Sequence, residues 1–455
     1  MVSKQELLNF AEQHRDEYEQ LLSEFVRIPT VSSDPAYRDH IMRGVEFAVA
    51  TIKRLGGEAE VIATSGYPVV YGSLNPSPGA KTVSLYGHMD VQPASRETEP
   101  WDTEPFEMVR KDGRYFGRGT TDDKGPALAG LFAILAAREL GIPLNYRIMW
   151  EFEEETGSPN FDEALKQIAA REHPDAVVLS DTVWISSKRP ALTSGLRGMI
   201  TFRFRLKTAG GDRHSGDTGG AARNPLAELM ALACEIVDAK TGKVKIPGFY
   251  DDVRKLSRAE QQDFLNSGFS VKGFKKDNGF KNLRTEDPLE VMKRLWALPT
   301  FEVHGVVGGY QGPGFKAIVP GEVELRASCR LVPDQNPRKI LQLVKSFVKA
   351  KNPDIEILPG ALVPPYLGIT SGPLADALKE SIEFAFGRRP TFVREGGSIG
   401  TVVNMEKMLH CPVLFLNLSL PEHGYHAPNE NFDWGQACGG MIAYTKLFQD
   451  LSKLL

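Results

Sequence analysis

Four largely apolar runs in this 455-residue chain each lead to acidic or imidazole side chains, and this pattern restricts the fold more than any other feature. Apolar runs without polar alternation are typical of strands in a sheet that is covered on both faces. In an open α/β sheet, polar residues that follow such strands meet outside the carboxyl ends of the strands. The runs are residues 83–85 before His88 and Asp90, 147–152 before Glu154 and Glu155, 176–179 before Asp181, and 413–418 before His426. The sequence therefore predicts an α/β fold that gathers residues from distant parts of the chain into one site.

Asp122 is a fifth candidate ligand, in a glycine-rich segment at residues 117–125 that directly precedes a predicted helix. With it, the set comprises two imidazoles and three carboxylates, which supply the nitrogen and oxygen atoms that zinc binds. A single catalytic zinc usually keeps three protein ligands, so five side chains fit two ions that share a bridging carboxylate. Asp122 is the predicted bridge. The predicted ligands are His88, Asp122, Glu155, Asp181 and His426, and the predicted cofactor is a pair of divalent ions, Zn²⁺ by preference, with Mn²⁺ or Co²⁺ as alternatives.

Two acidic residues beside these ligands have no predicted ion to bind. Asp90 is suited to accept a hydrogen bond from the His88 ring, which would fix the tautomer of a metal-bound imidazole. Glu154 is predicted to take a proton from the metal-bridging water and to return it to the leaving amine. Taken singly, a His-x-Asp motif is more often a surface pair, and an acidic cluster is more often a solvated face. His423, three residues before the last ligand, is an alternative ligand.

The apolar pattern changes after residue 195, which indicates a second domain. Residues 200–207 alternate between apolar and polar side chains, as expected for a strand with one buried and one solvated face. The predicted elements from there to about residue 358 follow the order β-α-β-β-α-β, a split βαβ arrangement. The earlier pattern resumes after Pro365 and leads to His426, so the first domain must be discontinuous. We predict a catalytic domain over residues 1–195 and 361–455 and a second domain over 196–360, with a charged insertion at about 242–299 that decorates the fold rather than forming core.

Composition excludes several classes of protein. The apolar share of 42% and the charged share of 25% are ordinary for a globular protein. The net charge of −4 and the lack of a basic stripe indicate no nucleic-acid partner, and no apolar run is long enough for a membrane span. The polar N-terminus has no signal-peptide pattern, so a cytoplasmic protein is predicted. The four cysteines lie far apart and are predicted to be buried thiols: Cys234, Cys329, Cys411 and Cys438.

Five ordered motifs resemble those of the dinuclear zinc metallopeptidases that include aminoacylase, glutamate carboxypeptidase and carnosinase. The motifs lie at residues 87–90, 117–125, 154–158, 181 and 426–430, and the similarity covers nearly the whole chain. Residues 122–126 and 394–399 are most similar to the cytosolic, carnosinase-like dipeptidases. The resemblance implies a mixed-sheet, three-layer catalytic domain of the zinc aminopeptidase type, with an inserted ferredoxin-like lid that dimerises. It also implies one ion held by His88, Asp122 and Asp181, another held by Asp122, Glu155 and His426, and a cis peptide bond after Asp122.

The same resemblance assigns three further residues to the substrate. His214 matches a lid histidine that reaches the active site of the neighbouring subunit and stabilises the oxyanion. Arg330 matches an arginine that grips the terminal carboxylate of the substrate, a task that suits a bidentate guanidinium, and Ser398 matches a position that contacts the substrate backbone. Without the resemblance, these residues are typical of a surface turn, a strand-surface charge and a helix N-cap. Ala317 departs from the pattern, because carnosinase-like relatives often have a threonine there, and one hydroxyl contact to the substrate is therefore missing.

The motifs and the resemblance together predict a homodimeric two-zinc dipeptidase that cleaves the amide bond of dipeptides or similarly small peptides with a free carboxylate. An N-acyl-amino-acid deacylase or desuccinylase is the alternative, because those enzymes use the same metal ligands and differ only in the acyl pocket. A catalytically silent, peptide-binding dimer is a hypothesis from another class. It should have lost a ligand or the base, whereas all six positions are filled. A dinuclear phosphoesterase is disfavoured, because the paired Gly-Asp and Gly-Asn-His loops are missing.

Overall fold

The computed structural model of the protein describes residues 3–455, in which strands and helices alternate along the chain. Up to residue 196 the elements are α1 (Lys4–Gln13), α2 (Arg15–Val26), α3 (Arg38–Arg54), β1 (Glu58–Ile62), β2 (Val69–Leu74), β3 (Lys81–His88), β4 (Val109–Lys111), β5 (Arg114–Phe116), α4 (Lys124–Glu139), β6 (Leu144–Glu151), α5 (Phe161–Ala169), β7 (Ala176–Leu179) and β8 (Ala191–Leu196). The next elements are β9 (Gly198–Lys207), β10 (Arg213–His214), α6 (Ser215–Thr218), α7 (Pro225–Ile236), α8 (Arg258–Asn266), α9 (Val271–Asp277), α10 (Pro288–Trp296), β11 (Thr300–Val307), β12 (Ile318–Val319), β13 (Glu322–Leu331), α11 (Pro337–Lys351) and β14 (Glu356–Val363). The last elements are β15 (Tyr366–Leu367), α12 (Pro373–Phe386), β16 (Thr391–Glu395), α13 (Val402–Leu409), β17 (Val413–Phe415), β18 (Asn431–Asp433) and α14 (Trp434–Leu454). Across the described part of the chain, no helix has both the length and the apolar character needed to cross a lipid bilayer.

The largest sheet is a mixed sheet of six strands in the order β1-β2-β6-β3-β7-β17. Strand β3 pairs in parallel with β6 and β7, β17 pairs in parallel with β7, and β1 and β2 add antiparallel pairing at one edge. Val83 and Leu85 of β3 pack on one face with α4 and α14, whereas Tyr86 packs on the other face with α5 and α13. The predicted mixed-sheet, three-layer fold is therefore confirmed, and cover on both faces explains the continuous apolar runs.

The carboxyl ends of β3, β6 and β7 lie side by side at one edge of this sheet. His88, the last residue of β3, pairs with Glu151 at the end of β6. Leu179, the last residue of β7, pairs with Tyr86 near the end of β3. The three segments that leave these strands therefore start within one small area, where the predicted ligands follow.

A second sheet has four antiparallel strands in the order β11-β13-β9-β14. Buried residues alternate with more accessible ones along β9, and Ile200, Phe202 and Phe204 pack with α7 and α11 on one face. The elements β9, α7, β11, β13, α11 and β14 follow one another in the predicted β-α-β-β-α-β order. We propose that this unit is the lid domain. Its boundaries stay a prediction, and β14 continues to Val363, beyond the predicted end at residue 360.

The insertion between α7 and β11 forms helices α8, α9 and α10, with a small core at Phe264, Met292 and Trp296. Helix α8 packs on β16, where Glu260 pairs with the buried Arg394. This ion pair joins residues 134 positions apart. The interpretation of the insertion as decoration is therefore incomplete, because no local sequence pattern reveals such a contact.

Cys234 is exposed, contrary to the prediction that all four cysteines are buried. Helix α7 turns Leu232 and Ile236 toward the core, and Cys234 lies between them on a different face. Cys329, Cys411 and Cys438 are buried, and all four thiols are free.

Candidate metal centre

All five predicted ligands lie together at the carboxyl ends of the central strands. His88 ends β3, Asp181 follows β7, Glu155 lies in a 3₁₀ turn after β6, Asp122 precedes α4, and His426 lies between β17 and β18. The Oδ1 atom of Asp122 is 3.0 Å from His88 Nε2, and its Oδ2 atom is 3.0 Å from His426 Nε2. Asp181 Oδ2 is 3.9 Å from His88 Nε2, and Glu155 Oε2 is 3.2 Å from His426 Nε2. The two oxygens of one carboxylate thus face two different imidazoles, which is the arrangement that a bridge between two ions needs.

Glu154 lies close to the same ligands. Two groups of three residues have ligand atoms that all lie within 4.8 Å of one another. One group is His88, Asp122 and Glu155, and the other is His88, Glu154 and Asp181. Glu154 is therefore near enough to reach a water between two ions, and also near enough to reach an ion. Its role as the base and the division of the ligands between two ions stay predictions.

The carboxylates of the site carry more negative charge than the adjacent histidines can neutralise. Burial raises the pKa of Asp181 and of Glu154, and the nearby His88 acts in the opposite direction. Burial also opposes ionisation of Asp122, but the adjacent imidazoles of His426 and His88 hold its pKa below the ordinary value. The buried Oδ2 atom of Asp122 has no partner with hydrogen-bond geometry among residues 3–455. Within residues 3–455 the ion-pair partners of the ligands are histidines and not lysines or arginines, so divalent cations fit the unbalanced charge.

Asp90 is buried beneath the ligands and holds the turn that carries Glu154 and Glu155. Its Oδ1 atom accepts a hydrogen bond from the Glu154 backbone N–H, and its Oδ2 atom accepts one from the Glu155 N–H, both at 3.1 Å. The Ser32 hydroxyl donates to Oδ2 at 2.6 Å. The His88 Nδ1 atom lies 3.0 Å from the backbone carbonyl of Asp90 and 3.5 Å from its carboxylate. Asp90 thus positions the imidazole mainly through its carbonyl and the acidic turn through its carboxylate.

Glu430 organises the segment that carries Asp122, a role that no sequence pattern assigned. Its buried carboxylate accepts hydrogen bonds from Gly119 N–H at 3.0 Å, Thr121 N–H at 3.0 Å, Asp122 N–H at 3.2 Å and the Arg118 guanidinium at 2.7 Å. The peptide bond between Asp122 and Asp123 is cis, as predicted. The position of Glu430 at the end of the fifth motif is the signal that could have pointed to it.

His423 is not free to act as the alternative ligand. Its Nε2 atom lies 2.9 Å from Asp433 Oδ2, and its Nδ1 atom accepts a hydrogen bond from the Leu420 N–H at 3.0 Å. The ring is fully buried. Both ring nitrogens therefore stabilise the loop that leads to His426.

Arg330 and Ser398 lie side by side at a loop that approaches the turn of Glu154. Arg330 Nη1 donates a hydrogen bond to Ser398 Oγ at 3.0 Å. The loop that contains Ser398 reaches the turn that carries Glu154, because a side-chain carbon added at Gly400 would lie 3.6 Å from the Gly157 carbonyl oxygen. Gly157 caps that turn. The chain thus brings two predicted substrate residues close to the predicted base.

His214 lies on the surface instead. It is part of the short strand β10, its side chain is 65% exposed, and its Nδ1 atom is 3.7 Å from Asp217. Strand β10 pairs with β12, and the Ala317 carbonyl accepts a hydrogen bond from the Ser215 N–H. Ala317, where the threonine of relatives is missing, is therefore next to His214 on one exposed ribbon.

Two cavities are lined in part by residues of the insertion, one beside Arg330 and the other beside Tyr425. The first has a volume of about 920 Å³ and is lined by charged residues that include Arg197, Lys243, Arg284, Arg294 and Arg330. The second has a volume of about 730 Å³ and lies between Tyr425, which precedes His426, and Phe269 and Phe274 of the insertion. Both volumes are in the range of small-molecule sites.

The chain is similar over its full length to known proteins. The pattern of peptidase family M20/M25/M40 matches residues 84–450, a range that contains all five predicted ligands. The Cys-Gly metallodipeptidase dug1 of Schizosaccharomyces pombe is 32% identical, with 100% of this chain and 99% of that protein covered. The Beta-Ala-His dipeptidase of Homo sapiens is 29% identical, with 99% and 93% covered. The solved structures of the dipeptidase Dug1p from Saccharomyces cerevisiae and of human carnosine dipeptidase 1 give TM-scores of 0.86 and 0.84, each at 29% identity and with 99% of this chain and 98% of the other covered.

Proposed function

The chain belongs to peptidase family M20/M25/M40 and is a metallopeptidase of the dipeptidase type, and from this premise we propose that it hydrolyses unmodified dipeptides through a pair of zinc ions. The observation that carries the proposal is the place of Asp122, whose two oxygens lie 3.0 Å from His88 and 3.0 Å from His426. His88 and Asp181 are the further ligands on one side, and Glu155 and His426 are those on the other. Zinc suits this mixture of imidazole and carboxylate, and manganese and cobalt accept the same ligands. The free thiols of the cysteines support a reducing, cytoplasmic location as part of the same proposal.

Each remaining residue of the site has a role in amide hydrolysis. Ions bound here would acidify a water molecule and polarise the scissile carbonyl. Glu154 accepts the proton of the attacking water and delivers it to the amine that leaves. Arg330 holds the terminal carboxylate of the peptide, and Ser398, hydrogen-bonded to Arg330 at 3.0 Å, contacts its backbone. These two contacts fix the scissile bond with respect to Glu154.

Unmodified dipeptides are the proposed substrates rather than N-acyl amino acids. The names of two relatives specify Cys-Gly and Beta-Ala-His, which are both dipeptides with a free amino group. A panel of dipeptides should therefore be hydrolysed with a higher kcat/KM than the matching N-acetyl and N-succinyl amino acids, each measured with added Zn²⁺, Mn²⁺ or Co²⁺. A preference for the acylated compounds would reassign the protein as a deacylase with the same metal site.

The proposed active form is a homodimer joined through the lid. Strand β11 is at the edge of the lid sheet, and its Val303 and Val307 side chains are 44% and 50% exposed. An unpaired edge with exposed apolar residues favours docking of a second chain. His214 has a 65% exposed side chain, and none of its contacts within residues 3–455 involves a metal ligand. A second copy of the chain is therefore the proposed acceptor of His214, which would donate a hydrogen bond to the oxyanion.

Mixing two inactive variants tests this sharing of residues. His214→Ala and Glu154→Gln homodimers should each be nearly inactive. In a heterodimer, one site receives Glu154 from one chain and His214 from the other, so random exchange should restore about a quarter of the wild-type activity. The activity is measured before and after subunit exchange of the mixed proteins.

The control for this mixture replaces a histidine that has no proposed role. His40→Ala changes another surface imidazole that is remote in sequence from every motif and should remain active before mixing. If the mixture of His214→Ala with Glu154→Gln stays inactive although heterodimers have formed, His214 does not act across the dimer.

A further inference from the structure

The cavity of about 920 Å³ between the lid sheet and the insertion has a strongly positive lining. It contains five cationic side chains, Arg197, Lys243, Arg284, Arg294 and Arg330, together with one carboxylate, Glu302. This excess of positive charge in the cavity contrasts with the net charge of −4 of the whole chain. Unbalanced positive charge in a concave site attracts anions and raises their local concentration.

The cations of this lining are not neutralised by the protein. Arg197 donates to the Gly396 carbonyl at 3.1 Å, Arg294 to the Thr241 carbonyl at 2.9 Å, and Arg330 to the Ser398 hydroxyl at 3.0 Å, so these partners are neutral. Within residues 3–455 none of the five cations has a carboxylate within 4.0 Å, unlike their neighbours on the same sheet. Arg205 and Arg326, for example, pair with Glu322 and Glu324 at 2.6 and 2.9 Å.

Two of the cations of the lining, Arg197 and Arg330, lie close together at the loop that contains Ser398. Burial and the neighbouring Arg330 guanidinium lower the pKa of Arg197 to about 10. The two residues meet at one loop, since Ser398 accepts from Arg330 and donates to the Arg197 carbonyl. That loop adjoins the turn of Glu154 through Gly400. A peptide whose carboxylate binds Arg330 would therefore direct the side chain of its last residue into the positive cavity.

One carboxylate needs one guanidinium for a bidentate contact. If Arg330 takes the terminal carboxylate, four cations are left over, and a second anionic group on the substrate would balance part of their charge. On the premise of the proposed dipeptidase activity, we propose that this cavity is a binding site for an acidic side chain, and that the preferred substrates end in glutamate or aspartate. The volume of about 920 Å³ is far more than a C-terminal glycine would use.

A pair of isosteric peptides tests the proposal. Wild-type protein should hydrolyse Ala-Glu with a kcat/KM about 10- to 100-fold above that of Ala-Gln, because the cations of the cavity can form charge-assisted hydrogen bonds with the glutamate side chain and not with the neutral amide. Most of the difference should be in KM. Free glutamate should likewise inhibit the hydrolysis of Ala-Gln at a lower concentration than free glutamine, which reports binding independently of turnover of an acidic peptide.

Neutral variants locate the effect in the cavity. Arg284→Gln and Arg294→Gln should each move the Ala-Glu to Ala-Gln ratio toward one by raising the KM for Ala-Glu. Arg284 is the cleaner position, because its side chain forms no hydrogen bond or ion pair with other residues of the range 3–455. Lys293→Gln is the matched control, because Lys293 neighbours Arg294 on α10 but pairs with Glu290 at 2.7 Å and is not part of the lining. This control should keep the wild-type ratio.

The possible results separate this inference from its premise. Equal hydrolysis of Ala-Glu and Ala-Gln by the wild type would overturn the acidic subsite and leave the dipeptidase function in place. An equal fall in kcat/KM for both peptides in Arg284→Gln and Arg294→Gln would also overturn the acidic subsite, because the two arginines would then have a structural role. If neither peptide is hydrolysed with any metal while N-acyl amino acids are, the dipeptidase proposal fails and the inference fails with it.

Discussion

Replacing Glu154 by glutamine is expected to lower kcat by about 10²- to 10⁴-fold, the range that a general base contributes. Glutamine keeps the size and shape of the side chain but cannot accept the proton of the attacking water. The backbone N–H of residue 154 would still donate to Asp90 Oδ1, as Glu154 does at 3.1 Å, so the turn should keep its position. Metal content, measured on the purified variant, should stay at the wild-type value.

Metal content also decides between two roles of Glu154, which lies within 4.8 Å of ligand atoms of His88 and Asp181. A loss of ions together with activity would identify Glu154 as a ligand, and full turnover would remove it from the mechanism. Glu153→Gln makes the same chemical change one residue earlier. Because Glu153 accepts hydrogen bonds from the Tyr67 N–H at 2.9 Å and from Asn160, away from the ligands, this control should remain active.

The convergence of the ligands could be predicted from sequence because it depends on two regular properties of sheets. Runs such as 176–179 must be strands covered on both faces, and parallel strands present their carboxyl ends at one edge. These two rules suffice to predict that His88 and Asp181 lie close together, and His88 Nε2 is 3.9 Å from Asp181 Oδ2 in the structure. The places of Asp122 and His426 were harder to predict, because each lies in an irregular segment. The division of the ligands between two ions rests on the resemblance to known motifs.

The contacts that the sequence did not reveal are those that irregular backbone makes at long range. Glu430 binds the N–H groups of Gly119, Thr121 and Asp122, about 310 positions earlier in the chain, and such acceptors leave no periodic pattern. The insertion is a second case. Its polar composition suggested a solvated surface, whereas Glu260 pairs with buried Arg394 and Arg284 and Arg294 line the positive cavity. A charged residue has the same local sequence pattern whether its side chain faces bulk water or a cavity.

Replacing Asp122 by asparagine is expected to remove both ions, whereas Asp181→Asn should remove mainly one. Asp122 offers one oxygen to the His88 side and the other to the His426 side, each at 3.0 Å. Among the histidines of residues 3–455, Asp181 approaches only His88, with its Oδ2 atom 3.9 Å from Nε2. Metal analysis should therefore give about two ions per chain for the wild type, about one for Asp181→Asn and close to none for Asp122→Asn. The kcat/KM of Asp122→Asn should fall at least about 10³-fold, because neither the water nor the carbonyl would be activated.

Thermal stability gives a second readout of the same change, because an ion that binds only the folded chain stabilises it by about 4 kcal/mol at 1,000 times its Kd. Added zinc should raise the Tm of the wild-type protein and leave the Tm of Asp122→Asn unchanged. Asp123→Asn is the matched control. Burial raises the pKa of Asp123 well above its ordinary value, and its carboxylate oxygens have no hydrogen-bond partner among residues 3–455. A neutral amide should therefore be tolerated there, and zinc should still raise the Tm. If Asp122→Asn retained one ion and a zinc-dependent rise in Tm, as expected for Asp181→Asn, Asp122 would be an ordinary ligand of one ion, and the two metals would not share a carboxylate.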